Sequence, residues 1–268
     1  MEAAAEMNHD PVTLEVADGV ARLTLNRPDR MNTIDLNVAR ALAEAALQLD
    51  SRDDVRVVLL GGSGKTFCGG GDLKSFAEIG DGLPGHLREV TTHLHAAMTI
   101  LSRIDAPIVA AVRGSAAGAG LGLVCAADVV IAAESTKFAF AYSAIGFTPD
   151  GGTSWNLPRL VGLRKAQELA LTNRVIDAAE AERIGIVTTV VGDDELEAAA
   201  DALVDKLAVA PTHALGITKR LLRATYDVSY EERLAVESVE LSRSAGTPDG
   251  REGVAAFLEK RSPKFEGR

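Results

Sequence analysis

The sequence predicts an α/β fold: a largely parallel sheet with helices over residues 1–200, then a helical region over residues 201–268. Three observations carry that expectation. Continuous apolar runs at 55–60, 107–112 and 128–133 alternate with stretches of helical periodicity, the pattern of βαβ units. Two of these runs pass into glycine-rich segments, 61–72 and 114–122. After Val191 the strand-like runs stop, and four successive segments read as helices.

Taken in order, Val12–Ala17 and Val20–Leu25 alternate about Asp18-Gly19 as a β-hairpin does. Residues 36–49 carry apolar positions at helical spacing after Asp35, a fitting N-cap. The run 55–60 reads as a buried strand, and Leu73–Ile79 as a short helix. Residues 80–85, with their glycines and Pro84, are the segment expected to be a mobile loop. Helical periodicity resumes over 86–104, strands follow at 107–112 and 128–133, and 114–122 runs into a short helix. Residues 138–158 leave a short apolar strand, cross a turn at Pro149-Asp150-Gly151-Gly152 and enter an amphipathic helix. The four terminal helices are expected at 196–209, 211–225, 231–244 and 251–261. With no strands of their own to cover, they must pack on something else.

Composition narrows the function. Apolar residues make up 47% and charged residues 25%, as in ordinary globular proteins. A net charge of −10 without a basic stripe argues against nucleic acid. No apolar run reaches the length of a membrane span, and residues 1–10 read as a frayed tail rather than a signal peptide. Two cysteines, Cys68 and Cys125, are too few for a disulfide framework and fit a reducing compartment, so a cytoplasmic location is expected.

Neither glycine-rich segment fits a nucleotide template. A phosphate loop ending at Gly64-Lys65-Thr66 needs a glycine where Leu59 stands. In Gly118-Ala-Gly120-Leu-Gly122 the third glycine of a dinucleotide fingerprint falls on Leu123. Two such segments, each after a buried strand, can instead aim one backbone N–H each at a shared oxygen, which is an oxyanion hole. Close helix–strand packing explains the same glycines without any ligand.

Several separated motifs make a wider pattern recognisable. Lys65-Thr-Phe-Cys-Gly-Gly-Gly71-Asp72-Leu73-Lys74 resembles the first oxyanion loop of the crotonase (enoyl-CoA hydratase/isomerase) superfamily, and Ala111-Val-Arg-Gly114-Ser-Ala-Ala-Gly118-Ala119-Gly120 resembles its second. Leu25-Asn26-Arg27-Pro28 with Met31-Asn32 is similar to the N-terminal signature, and 251–263 to the C-terminal helix. The resemblance covers nearly the whole chain. It implies a spiral of ββα units, a C-terminal helical region that holds trimers or paired trimers together, and an acyl-CoA thioester as ligand. It implies no metal and no redox cofactor, coenzyme A being part of the substrate. By position the oxyanion N–H groups belong to Gly71 and Ala119. Arg30 and Met31 would lie along CoA, with Asp72, Leu73 and Tyr142 lining the substrate site. Phe257 and Lys260 would close on the adenine end from a neighbouring subunit.

Hydratases of that superfamily carry two glutamates where this chain has Gly122 and Tyr142. Asp150 sits where its isomerases and its aromatic dehalogenases place an aspartate. The stretch around it most closely resembles the ring 1,2-epoxyphenylacetyl-CoA isomerases. One carboxylate suits an isomerase, since it can remove a proton beside a polarised thioester and return it elsewhere. The reading is therefore an acyl-CoA isomerase with Asp150 as proton shuttle. One rival is a CoA-thioester hydrolase or dehalogenase, or a hydratase, on the same fold; dehalogenation would want a histidine near the site, for which His86, His93 and His95 are the candidates. Another is a non-catalytic acyl-CoA binder, in which Asp150 is only a turn residue. Cys68 reads as a small packing residue, Asp72 as ordering its own loop, and Trp155 as packing beneath the acyl pocket or in the core.

Overall fold

The computed structural model describes residues 10–268, so the expected frayed tail lies, but for Asp10, outside the described residues. The main sheet has six strands in the order β1 (Val12–Ala17), β2 (Val20–Leu25), β3 (Val57–Gly62), β4 (Ile108–Val112), β6 (Val129–Ala133) and β9 (Thr189–Val191). The β1–β2 hairpin is antiparallel and every later pairing is parallel. A second sheet of three short strands stands beside it, β5 (Ser115–Ala117), β7 (Lys137–Ala139) and β8 (Ile176–Asp177).

Strand β3 shows why its apolar run is unbroken. Val58 and Leu60 enter the larger core, whereas Val57 and Leu59 enter a smaller one on the opposite face. A strand buried on both faces has no polar positions to alternate with. The larger core is roofed by α1 (Leu36–Asp50) and α3 (Leu83–Arg103), which pack along each other. Asp35 caps α1 by accepting the Val38 N–H at 3.0 Å. In α3 the buried positions Val90, Leu94, Ala97 and Leu101 follow helical spacing.

Residues 80–85 are not a loop. A 3-10 turn at Gly80–Gly82 runs straight into α3, with Pro84 in its first turn, where a missing N–H costs nothing. The chain then forms α2 (Leu73–Ile79) before that turn, α4 (Ala119–Ala126), α5 (Thr153–Val161), α6 (Leu163–Thr172) and α7 (Ala178–Arg183). Four helices close it: α8 (Leu196–Ala208), α9 (Thr212–Arg223), α10 (Tyr230–Ala245) and α11 (Pro248–Glu259). The first of these does cover strands, contrary to expectation. Leu196, Ala200 and Val204 of α8 close the smaller core over Val57, Val109 and Ile131, so α8 belongs with the sheet and runs across residue 200.

The glycine-rich segments meet where the two sheets adjoin. Ile34 N–H donates to the Gly70 carbonyl at 2.7 Å, and Asp72 N–H to the Ile34 carbonyl at 3.0 Å. On the other side Cys68 pairs with β5, its N–H reaching Ser115 at 3.1 Å. The first loop is thereby stitched between residues 31–34 and the strand that leads into the second. Gly70 has φ +95°, and a Cβ there would come within 2.8 Å of the Ala117 carbonyl oxygen. Backbone lies against backbone at this point, and only glycine fits.

Candidate active site

A cavity of about 790 Å³ opens between α2, α3, the start of α4 and residues 141–150. Its apolar wall includes Phe76, Leu87, Val90, Leu94, Ile145 and Phe147. Its polar wall is made of Gly69–Gly71, Gly118, Ala119, Tyr142, His95 and Asp150. Among the described residues, neither the Gly71 N–H nor the Ala119 N–H donates to a backbone carbonyl. Ala119 is the first residue of α4, so its N–H has no acceptor within the helix and sits at the positive end of the helix dipole. The structure thus brings Gly71, Ala119, Leu73, Tyr142 and Asp150 to one cavity.

Asp150 is not used as a turn residue uses its side chain. Helix α5 begins at an N-cap glycine, Gly152, with no side-chain cap. The turn closes through backbone alone, the Thr153 N–H donating to the Asp150 carbonyl at 3.0 Å. Among the described residues the Asp150 carboxylate takes one hydrogen bond, from the Tyr142 hydroxyl to Oδ1 at 2.6 Å. Tyr142 is buried, and burial followed by the Asp150 charge pushes its phenol well above the usual range. It therefore stays protonated and serves as a donor to the carboxylate.

His95, a weak candidate in the sequence, lies beside Asp150. Its Nε2 accepts the Gly151 N–H at 3.0 Å. His86 instead packs edge-on against Phe76, and neither it nor His93 lines the cavity. No local pattern marks His95, because its partner is 56 residues away. Cys68 is buried, and burial pushes its thiol up to about 12, which leaves it a packing residue. Among the described residues no group of three or more metal-ligating side chains is placed to hold an ion.

Other expected substrate contacts are not brought to this cavity. Asp72 is buried beneath the first oxyanion loop rather than facing the cavity. Its carboxylate caps α2 through the Ser75 N–H at 3.2 Å and pairs with Arg27 at 3.0 Å. Arg30 lies 3.6 Å from the same carboxylate, and Met31 is exposed with its carbonyl accepting the Gly69 N–H at 2.9 Å. Phe257 and Lys260 stand on exposed parts of α11 and its cap, away from this chain's own cavity. Trp155 is neither under the acyl pocket nor in the core. Its ring is stacked beneath Arg159, whose guanidinium carbon is 3.7 Å from the ring centroid. Asn32 takes a role the sequence did not reveal. Buried, it donates to Ser63 and Thr66 carbonyls at 2.9 and 2.6 Å and accepts the Arg27 N–H at 2.8 Å, tying the N-terminal motif to the first oxyanion loop.

The enoyl-CoA hydratase/isomerase family model matches residues 15–268. The chain belongs to that family. A 1,2-epoxyphenylacetyl-CoA isomerase of Escherichia coli is 38% identical over 94% of this chain and 97% of that protein. A probable enoyl-CoA hydratase of Rhodobacter capsulatus is also 38% identical, over 98% of this chain and all of that one. The crystal structure of a putative enoyl-CoA hydratase/isomerase from Mycobacterium abscessus superposes with a TM-score of 0.91 at 34% identity, covering 96% of this chain and all of that one. The fold is therefore the crotonase fold, and the chain is one of a family of enzymes that act on acyl-CoA thioesters.

Gly122 and Tyr142, the positions where the family resemblance places a hydratase's glutamates, both lie against the Asp150 turn. At Gly122 a Cβ would come within 2.8 Å of Thr153 Oγ1 and 3.0 Å of the Gly151 carbonyl oxygen. The absent side chain lets α4 lie against the turn that carries Asp150. At the other position the Tyr142 phenol is held protonated against that aspartate.

Proposed function

We propose that the protein is an isomerase of CoA thioesters, with Asp150 as the group that removes and returns the proton. The observation that carries this reading is the Asp150 carboxylate itself, facing an apolar cavity with one bond from Tyr142 and no capping role. The thioester carbonyl would accept from the Gly71 and Ala119 N–H groups. These stabilise an enolate more than the ground-state carbonyl, so the proton on the adjacent carbon becomes removable. Asp150 takes that proton and delivers it to another carbon of the conjugated system. A double bond shifts, or a ring epoxide rearranges, without net gain or loss of atoms. Hydration would need a second acid or base, and Gly122 and a protonated Tyr142 offer none. The acyl group occupies the apolar wall, while Arg30 and a neighbouring subunit's Lys260 meet the CoA phosphates.

A second reading, hydrolysis or dehalogenation with Asp150 as nucleophile, draws support from His95 beside it. That histidine would have to activate water, yet its Nε2 lone pair already accepts an amide. A pure acyl-CoA binder would leave the carboxylate in the cavity without a task.

The deciding experiment is Asp150→Asn, which keeps the shape of the side chain but not its basicity. Conversion of a β,γ-enoyl-CoA to its α,β isomer should fall by about a hundredfold or more, while acyl-CoA affinity changes little. Mass spectrometry on an enoyl-CoA panel should show isobaric products. Release of CoA from that panel, or of halide from a halobenzoyl-CoA, would favour the hydrolase or dehalogenase, and near-normal turnover by Asp150→Asn would return Asp150 to a turn residue.

A further inference from the structure

The turn at residues 149–152 is a wall with a cavity on each side, and His95 and Asp150 line both. Beyond it lies a second cavity of about 770 Å³, walled in part by Arg103, Arg220, Arg223 and Asp227. Gly151 and Gly152 follow Asp150 with φ +56° and +67°, two successive left-handed residues with no side chains to pack. Such a turn needs outside restraint to hold one carboxylate position. Across the wall from α3, His95 Nε2 accepts the Gly151 N–H at 3.0 Å. A ring nitrogen that accepts carries no proton, so the bond assigns the imidazole proton to Nδ1.

The geometry points to His95 as a positioning residue that clamps the Asp150 turn through the Gly151 N–H, and does so only while neutral. This rests on the reading of Asp150 as the proton-transfer group. The clamp fixes the peptide next to Asp150 on one side while Tyr142 holds the carboxylate on the other. Catalytic geometry is steep: a misplacement of about 1 Å can cost on the order of a hundredfold in rate. On protonation both imidazole nitrogens become donors, N–H faces N–H, and the clamp opens. The charged groups that line the two cavities bordered by His95 are Asp150 in the turn, Arg88 and Arg103 on its own helix, Arg220 and Arg223 on α9, and Asp227 beyond it. Tyr142 reaches it through Asp150.

The test compares His95→Gln, whose amide oxygen can still accept the Gly151 N–H, with His95→Leu, which cannot. Both are assayed on a β,γ-enoyl-CoA beside wild type and Asp150→Asn. His95→Leu should lose about ten- to a hundredfold in kcat with KM little changed. His95→Gln should stay within a few fold of wild type. Nitrogen-15 NMR of the histidines in the intact protein should show His95 with its proton on Nδ1. Equal losses in the two variants would mean that His95 moves protons itself, and an unaffected His95→Leu would mean that no clamp is needed. Either result overturns the proposal, as does a proton found on Nε2. Should Asp150→Asn keep its activity, the Asp150 reading fails, and the tautomer still decides whether the clamp exists.

Discussion

Asp72 and Asp150 are two carboxylates of opposite fate. Burial alone would push Asp72 up, but the Ser75 N–H and the Arg27 guanidinium outweigh it and hold its carboxyl below the usual range. A depressed folded value means that the ionised form is the one the fold prefers. Its stabilising contribution is complete above the unfolded value of about 3.9 and is lost as pH falls through the folded value. Asp72→Asn should therefore be less stable than wild type by a constant margin above about pH 5, a margin that shrinks below about pH 4. Thermal melts of both proteins from neutral to acid pH check this, and a margin that grew on acidification would contradict it. Asp150, by contrast, has no cation in hydrogen-bond contact among the described residues and faces a cavity. The family resemblance could point to Gly71, Ala119 and Asp150 because each sits in a local motif, and the structure brings the three to one cavity. Sequence could not single out His95 or assign Asn32 its work, since those partnerships join distant segments and leave no periodicity behind.

At the scale of elements, long strands were legible and most short ones were not. Strands β3, β4 and β6 announce themselves as apolar runs, and β7 reads as the short apolar strand before the Asp150 turn, whereas β5 and β9 have three residues each and β8 two, too few to show any alternation. Residues 80–85 misled for a chemical reason: glycine and proline punctuate loops, but proline also opens helices. The placement of α9 was hidden as well, because long-range polar contacts fix it, Arg220 and His213 with Asp105 and one buried cation among them. Lys219 Nζ donates to the Ala106 carbonyl at 3.0 Å and to Asp128 at 3.1 Å, pinning α9 to the ends of α3, β4 and β6. Burial lowers the lysine's pKa and Asp128 offsets part of that. Lys219→Met strands Asp128, and breaking such a pair costs about 3–5 kcal/mol. Asp128 is partly exposed and keeps the Ile108 N–H at 2.8 Å, which places the expected loss near the lower end. Urea unfolding should show it, with Lys219→Met/Asp128→Asn recovering part. A loss under about 1 kcal/mol would mean that α9 is held by its other contacts instead.

The molecule as a whole leaves one surface unexplained by its own packing. Helix α10 runs 16 residues under a Ser229–Glu232 capping box and buries none of them. On α11, Phe257 is 83% and Leu258 75% exposed. Leu234, Val239 and Leu241 add to the apolar surface of α10, more than a soluble monomer ordinarily shows to water. The same helices carry Phe257 and Lys260, which the family resemblance assigns to CoA yet which do not reach this chain's own cavity. One arrangement would answer both facts, and we propose it: α10 and α11 would pack on a neighbouring copy and lend their ends to its CoA site. The full chain should then scatter light as a trimer or a dimer of trimers at micromolar concentration. Phe257→Asp with Leu258→Asp should shift it toward smaller species and weaken CoA binding together, because a charge at a dry interface is costly to desolvate. Lys260→Ala should weaken CoA binding in a salt-sensitive way while the assembly persists. A wild-type monomer at that concentration would refute the arrangement. So would an intact assembly whose CoA affinity ignores both Lys260→Ala and salt, since the cation would then come from elsewhere.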